Sequence, residues 1–167
     1  MLKRRCLVRA LTTPLLVAAA PLALAEPLPA PSGRVILTVR GRIDGGVARF
    51  DRALLLAGGR DELRTATPFT DGVSTFSGVL LSRLLDRLGA DGTRLLTRAL
   101  NDYAVTIPME DVRAYPVLLA LDQNGRALSV RERGPIWVIY PFSERPELDD
   151  RMHRQRSIWQ LTDIEVA

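Results

Sequence analysis

Apolar residues alternate with polar ones at a period of two along much of this chain, which predicts strands. A few stretches instead repeat every three to four residues and predict helices. Arg34–Arg40 (RVILTVR) reads as the first strand, followed by a turn at Asp44-Gly45. Phe50–Leu56 has helical spacing and stops at Gly58-Gly59. Glu62–Thr67 reads as a short strand, and Pro68–Thr75 as an irregular, hydroxyl-rich loop. Ser77 is the expected N-cap of a helix over Val79–Leu88, with Leu81, Leu84, Leu85 and Leu88 on one face and Gly89 after the last turn.

The second half reads mainly as strands. Thr93–Leu100 and Tyr103–Ile107 flank Asn101-Asp102, and Pro108–Val112 reads as one helical turn with proline in its first position. Val117–Leu121 and Ala127–Val130 flank a turn at Asn124-Gly125, the favoured pair for a tight hairpin. Ile136–Tyr140 is an apolar strand, and Ser157–Val166 closes the pattern as a strand or two short ones. Many strands with few short helices predict an α+β domain built on a mixed, mostly-β sheet core.

The first 25 residues follow a different pattern. Lys3, Arg4, Arg5 and Arg9 form a basic head, Leu11–Leu24 is apolar, and Ala23-Leu24-Ala25 is a small-x-small cleavage site. This is the pattern of a secretory signal peptide cut after Ala25, so the mature protein is expected to be periplasmic or secreted. The apolar run is short for a bilayer span and broken by Pro14 and Pro21, so no membrane insertion is expected after cleavage. Residues 26–33 (EPLPAPSG) read as a proline-rich linker, and residues 34–167 as one domain.

Removing the leader changes the chemistry available. The whole chain carries 23 Lys+Arg against 19 Asp+Glu, a formal charge of +4, and the leader holds four of the cations and no acid. The mature chain is therefore neutral, which removes the electrostatic basis for a nucleic-acid role. The sole cysteine, Cys6, leaves with the leader, so a disulfide, a cysteine-ligated metal and a cysteine nucleophile are all excluded. One histidine remains, His153, which reads as a surface residue. No nucleophile elbow accompanies it.

Several short motifs then fall in a particular order. These are Phe76-Ser77-Gly78-Val79-Leu80-Leu81 with Leu84-Leu85, Asn101-Asp102-Tyr103 with Ile107-Pro108, and Leu118–Leu121 leading to Asn124–Leu128. Gly134–Pro141 and Arg156–Trp159 with Ile164-Glu165-Val166 follow. In this order the chain resembles the oxidoreductase molybdopterin-binding domain, the sulfite-oxidase-like fold. The resemblance implies that fold and a molybdopterin cofactor. It also implies a metal-ligating cysteine near Ala66, where this chain has Thr65-Ala66-Thr67. A hydroxyl or methyl group does not replace a thiolate as a soft, charged ligand. The family's arginine after Gly-x-Pro-Leu is Trp137 here, and its basic pair for the pterin phosphate corresponds to Arg154 and Arg156.

Eight residues are therefore candidates for cofactor or ligand binding. Thr65 and Thr67 belong to the hydroxyl-rich segment. Asn101 and Asp102 read either as turn-formers or as a polar cluster facing a cleft. Arg131 and Arg133 read either as a solvated loop or as a guanidinium pair for a phosphate or carboxylate, and Arg154 and Arg156 complete the set. Trp137, Tyr140, Phe142 and Trp159 read as core, or alternatively as the wall of a cleft or a partner-binding patch. Three functions remain open. The first is a non-catalytic sensing module that binds a small anionic or pterin ligand, or a partner such as a membrane signalling or redox protein. The second is a molybdopterin-dependent oxidoreductase with a non-cysteine ligand, and the third a purely structural interaction domain.

Overall fold

The computed structural model describes residues 28–167, so the expected leader Met1–Ala25 lies outside the described residues. Two five-stranded sheets form the domain. The first contains β1 (Leu37–Gly41), β2 (Val47–Phe50), β5 (Arg94–Ala99), β6 (Ala104–Pro108) and β10 (Leu161–Val166), in the order β2-β1-β10-β5-β6. The second contains β3 (Asp61–Ala66), β4 (Val73–Leu80), β7 (Leu118–Gln123), β8 (Arg126–Ala127) and β9 (Trp137–Ile139). β9 pairs with β7. β1 runs parallel to β10 with Thr38 opposite Asp163, and the other pairings are antiparallel. The α+β prediction holds.

The run Leu118–Leu121 is apolar throughout because β7 is covered on both faces. Leu119 and Leu121 point into the main core with Val79 and Val138. Leu118 and Ala120 point the other way, into a smaller cluster with Phe76, Trp137 and Ile139. Four short helices, α1 (Arg52–Leu56), α2 (Leu81–Arg87), α3 (Met109–Ala114) and α4 (Arg151–Arg156), occupy connections. No helix among the described residues is long and apolar enough to cross a membrane. Asp51 caps α1 by accepting from the Leu54 amide at 2.7 Å. The same carboxylate accepts from the Ser32 and Gly33 amides at 2.8 and 2.7 Å, which pins the end of the predicted linker to the domain.

The predicted leucine face on α2 is buried at all four positions. The start of that helix was misplaced by the sequence pattern. Residues 73–80 form β4, helix begins only at Leu81, and Ser77 lies within the strand. Its hydroxyl accepts from Arg60 at 2.7 Å, beside the buried Asp122 carboxylate that holds Arg52 at 2.6 and 2.8 Å. The apolar stretch Gly78–Leu80 satisfies a helical period but is held as strand by pairing with β7. Part of the expected loop at 68–75 is thus strand as well. The Asn124-Gly125 turn is as predicted, both residues having positive φ, 50° and 75°. Pro108 precedes α3 instead of occupying its first position.

Candidate functional site

α4 forms one wall of a largely apolar cleft. Its start is fixed by Asp150, whose carboxylate accepts from the His153 amide and also meets the His153 ring, both at 2.9 Å. These contacts, the amide first, hold Asp150 below the usual carboxylate range. The other end of α4 is fixed by Asp111 on α3. That buried carboxylate accepts from Arg156 at 2.9 Å and from the Tyr140 hydroxyl at 2.9 Å, and His153 Nε2 stands 3.8 Å away. His153 is therefore not the surface residue the sequence suggested. Its side chain is 13% exposed, wedged between Tyr140, Asp111 and Asp150.

With both ends anchored, α4 turns Arg151, Arg154 and Gln155 toward a cavity of about 480 Å³. The spacing i, i+3, i+4 places these three on one helix face. Arg154 donates from Nε to Asp149 at 2.8 Å, which reinforces its positive charge and leaves its terminal amines for the cleft. Arg151 has no acidic partner among the described residues. Across the cavity lies the β5–β6 turn. Asn101 Oδ1 accepts from the Tyr103 amide at 3.2 Å, and the Tyr103 hydroxyl donates to the Gln155 carbonyl at 3.3 Å, tying the turn to α4.

The floor and remaining wall are apolar and aromatic. Ala99 and Ile158 lie at the base, and Phe69 and Trp159 stand at the side. Phe69 meets Trp159 edge-to-face at 5.2 Å, a favoured aromatic geometry. Thr67 supports this arrangement, its hydroxyl accepting from the Phe69 amide at 3.2 Å. The guanidinium of Arg133 lies 5.0 Å from the Trp137 ring and 5.7 Å from the Trp159 ring. Trp137 itself is fully buried and donates from Nε1 to the Ser157 carbonyl at 3.2 Å.

The eight candidate residues do not form one constellation. Asn101 and Arg154 share the cleft, and Thr67 and Arg133 brace its aromatic wall. Thr65 is buried, and its hydroxyl accepts from the Ser143 amide at 2.9 Å, which ties β3 to the loop after β9. Asp102 is exposed at φ 63°, with Arg98 3.8 Å away, and does not line the cavity. Arg131 lies in a separate surface groove with Gln123 and Arg126. Arg156 is held by Asp111. Residue patterns gave no sign of Phe69, Arg151 or Gln155 as site residues, because only tertiary packing brings Phe69 and α4 together. Of the four aromatics, Tyr140 and Phe142 are core, Trp137 is core behind the wall, and Trp159 is the cleft wall.

A profile of the oxidoreductase molybdopterin binding domain matches residues 59–143, just over half of the chain. The chain belongs to this family. Among solved structures it is similar to the sulfane dehydrogenase SoxCD from Paracoccus pantotrophus. The TM-score is 0.60 at 20% identity, with 78% of this chain and 37% of that chain covered. The chain thus spans little more than a third of that protein, and the likeness concerns the fold. No curated protein sequence matches the chain.

Membership implies a molybdopterin site, and the residues here do not fit a thiolate-held molybdenum. The expected ligand position is Ala66, whose amide donates to the Ser143 hydroxyl at 2.8 Å. The neighbouring Thr65 hydroxyl is occupied by Ser143 and by the Ala66 carbonyl. No cysteine occurs after Cys6, and no cluster of three or more His, Cys, Asp or Glu among the described residues is arranged to hold a metal.

Proposed function

We propose that this protein is an exported, non-catalytic member of the molybdopterin-binding family, which binds a small ligand in the α4 cleft and serves as a sensing or accessory module. The observation that carries this reading is the pairing of an open, partly cationic cleft with a methyl group where the family's metal thiolate would stand. The cleft speaks for a ligand over a purely structural role, because its aromatic and arginine side chains leave about 480 Å³ unfilled. The basic head and cleavage site of residues 1–25 support export to the periplasm or outside, where a membrane signalling or redox protein is the natural partner.

The test is molybdenum content and released-pterin fluorescence on protein from a host that makes the cofactor. The reading expects no stoichiometric molybdenum. Near-stoichiometric molybdenum with pterin would overturn it in favour of an oxidoreductase with a non-cysteine ligand. Pterin without metal would identify the ligand and keep the non-catalytic role. N-terminal sequencing of the exported protein tests cleavage after Ala25.

A further inference from the structure

The cleft carries enough chemistry to name the class of its occupant. We infer that it receives a flat aromatic anion, with the ring against Phe69 and Trp159 and the charged group on Arg151 and Arg154. This inference rests on the ligand-binding reading above and narrows it.

Trp159 supports the ring position. It is 36% exposed, unusual for so large an apolar side chain in a domain whose other tryptophan is fully buried. It is also held in place, with Phe69 on its edge at 5.2 Å and the Arg133 guanidinium over its ring at 5.7 Å. A fixed aromatic wall costs a ligand little ordering free energy. The charged group follows from α4. Arg151 has no acidic partner among the described residues, and Arg154 shares only its Nε with Asp149. The nearby side-chain amides of Asn101 and Gln155 add neutral donors at the same opening. Both guanidiniums suit a carboxylate or a phosphate monoester.

The arrangement differs from the one implied by family resemblance, in which Arg154 and Arg156 act as a pair. Arg156 is closed off by Asp111, with only 14% of its side chain exposed. The cation beside Arg154 is instead Arg151, one turn earlier. The anion is therefore placed next to the aromatic wall, inside a single cavity, and a compact ligand fits both contacts.

The chain has two tryptophans, so a proton–nitrogen correlation spectrum contains two indole signals, assigned with W159F. The purified protein is titrated with 2-naphthoate, with the neutral 2-naphthylmethanol and with acetate. The expected result is a saturable shift of the Trp159 signal by 2-naphthoate, binding about tenfold weaker for the alcohol, and none for acetate. The double variant R151Q/R154Q should bind 2-naphthoate about tenfold more weakly and the alcohol unchanged. An undisturbed Trp137 signal shows that the variant is folded. Equal binding of acid and alcohol, or no effect of the double variant, would overturn the assignment and leave the ligand-binding reading standing. No saturable shift at Trp159 would also overturn it. Near-stoichiometric molybdenum in the same preparation would overturn the underlying reading, and this assignment with it.

Discussion

Tyr140→Phe probes the anchor that sets the position of α4. The phenol is fully buried and donates to Asp111 Oδ2 at 2.9 Å, and the same oxygen accepts from Arg156 at 2.9 Å. Removing the hydroxyl deletes one hydrogen bond to a charged acceptor without changing the ring, so packing is preserved. Such a bond contributes about 1.5–3 kcal/mol. Arg156 still neutralises the carboxylate, so the loss should stay below the roughly 3–5 kcal/mol expected when one partner of a buried ion pair is removed. At roughly 4 °C per kcal/mol for a domain of this size, the variant should melt about 6–12 °C below the parent. Urea unfolding followed by tryptophan fluorescence gives the free energy directly. A double-mutant cycle with R156Q should show coupling, because both donors meet one oxygen. A loss below about 0.5 kcal/mol for Y140F would mean that Asp111 does not depend on the phenol, and the anchoring role of this trio would fail.

Four further outcomes are expected. Burial first, and the Asp111 charge second, push Tyr140 above its ordinary 10.0. The folded state thus favours the neutral phenol, and the resulting stability, complete below about pH 10, should fall as the pH rises beyond it. Phenolate absorbance from Tyr140, taken as parent minus Y140F, should therefore appear only with unfolding, and reversible titration near pH 10 in the folded protein would refute this. Asp51 lies below its ordinary 3.8, held chiefly by the Leu54 amide and then by the Gly33 amide. Its contribution is present above about pH 4 and lost on acidification, so the stability gap between parent and D51N should close as the pH falls, which unfolding curves from pH 7 to 3 would check. At Gly78 a methyl group would run into the Leu119 carbonyl at the β4–β7 irregularity. Gly78→Ala should cost about 3 kcal/mol or prevent folding. Gly125→Ala, with open space but positive φ, should cost only about 1–2 kcal/mol by the same unfolding assay.

The sequence pattern located elements better than their boundaries. The Asn124-Gly125 hairpin was legible because its turn chemistry is local, and the α2 leucine face because four side chains repeat on one side. β4 was misread because Val79 and Leu80 satisfy a helical period as well as a strand, and only pairing with β7 decides between them. The site divided in the same way. Asn101 and Arg154 were reached through family resemblance, and Trp159 through its scarcity as an aromatic. Arg151 and Gln155 on α4, and Phe69 between β3 and β4, lie on two segments distant in sequence from the β5–β6 turn, and nothing local marks these segments as neighbours. Arg156 was expected to face a ligand, but a buried acid on another helix, Asp111, claims it.

The pairing of β1 with β10 has a consequence for how the protein is made. β10 is the middle strand of its sheet, between β1 and β5, yet it is the last strand in sequence. On the ribosome, β1 finds β2 at once but must wait for more than a hundred residues before its second neighbour, β10, is synthesised, so the first sheet has no centre until β10 emerges. A chain without β10 would leave β1 and β5 each with an unpaired inner edge, so this one strand joins the two halves of the sheet.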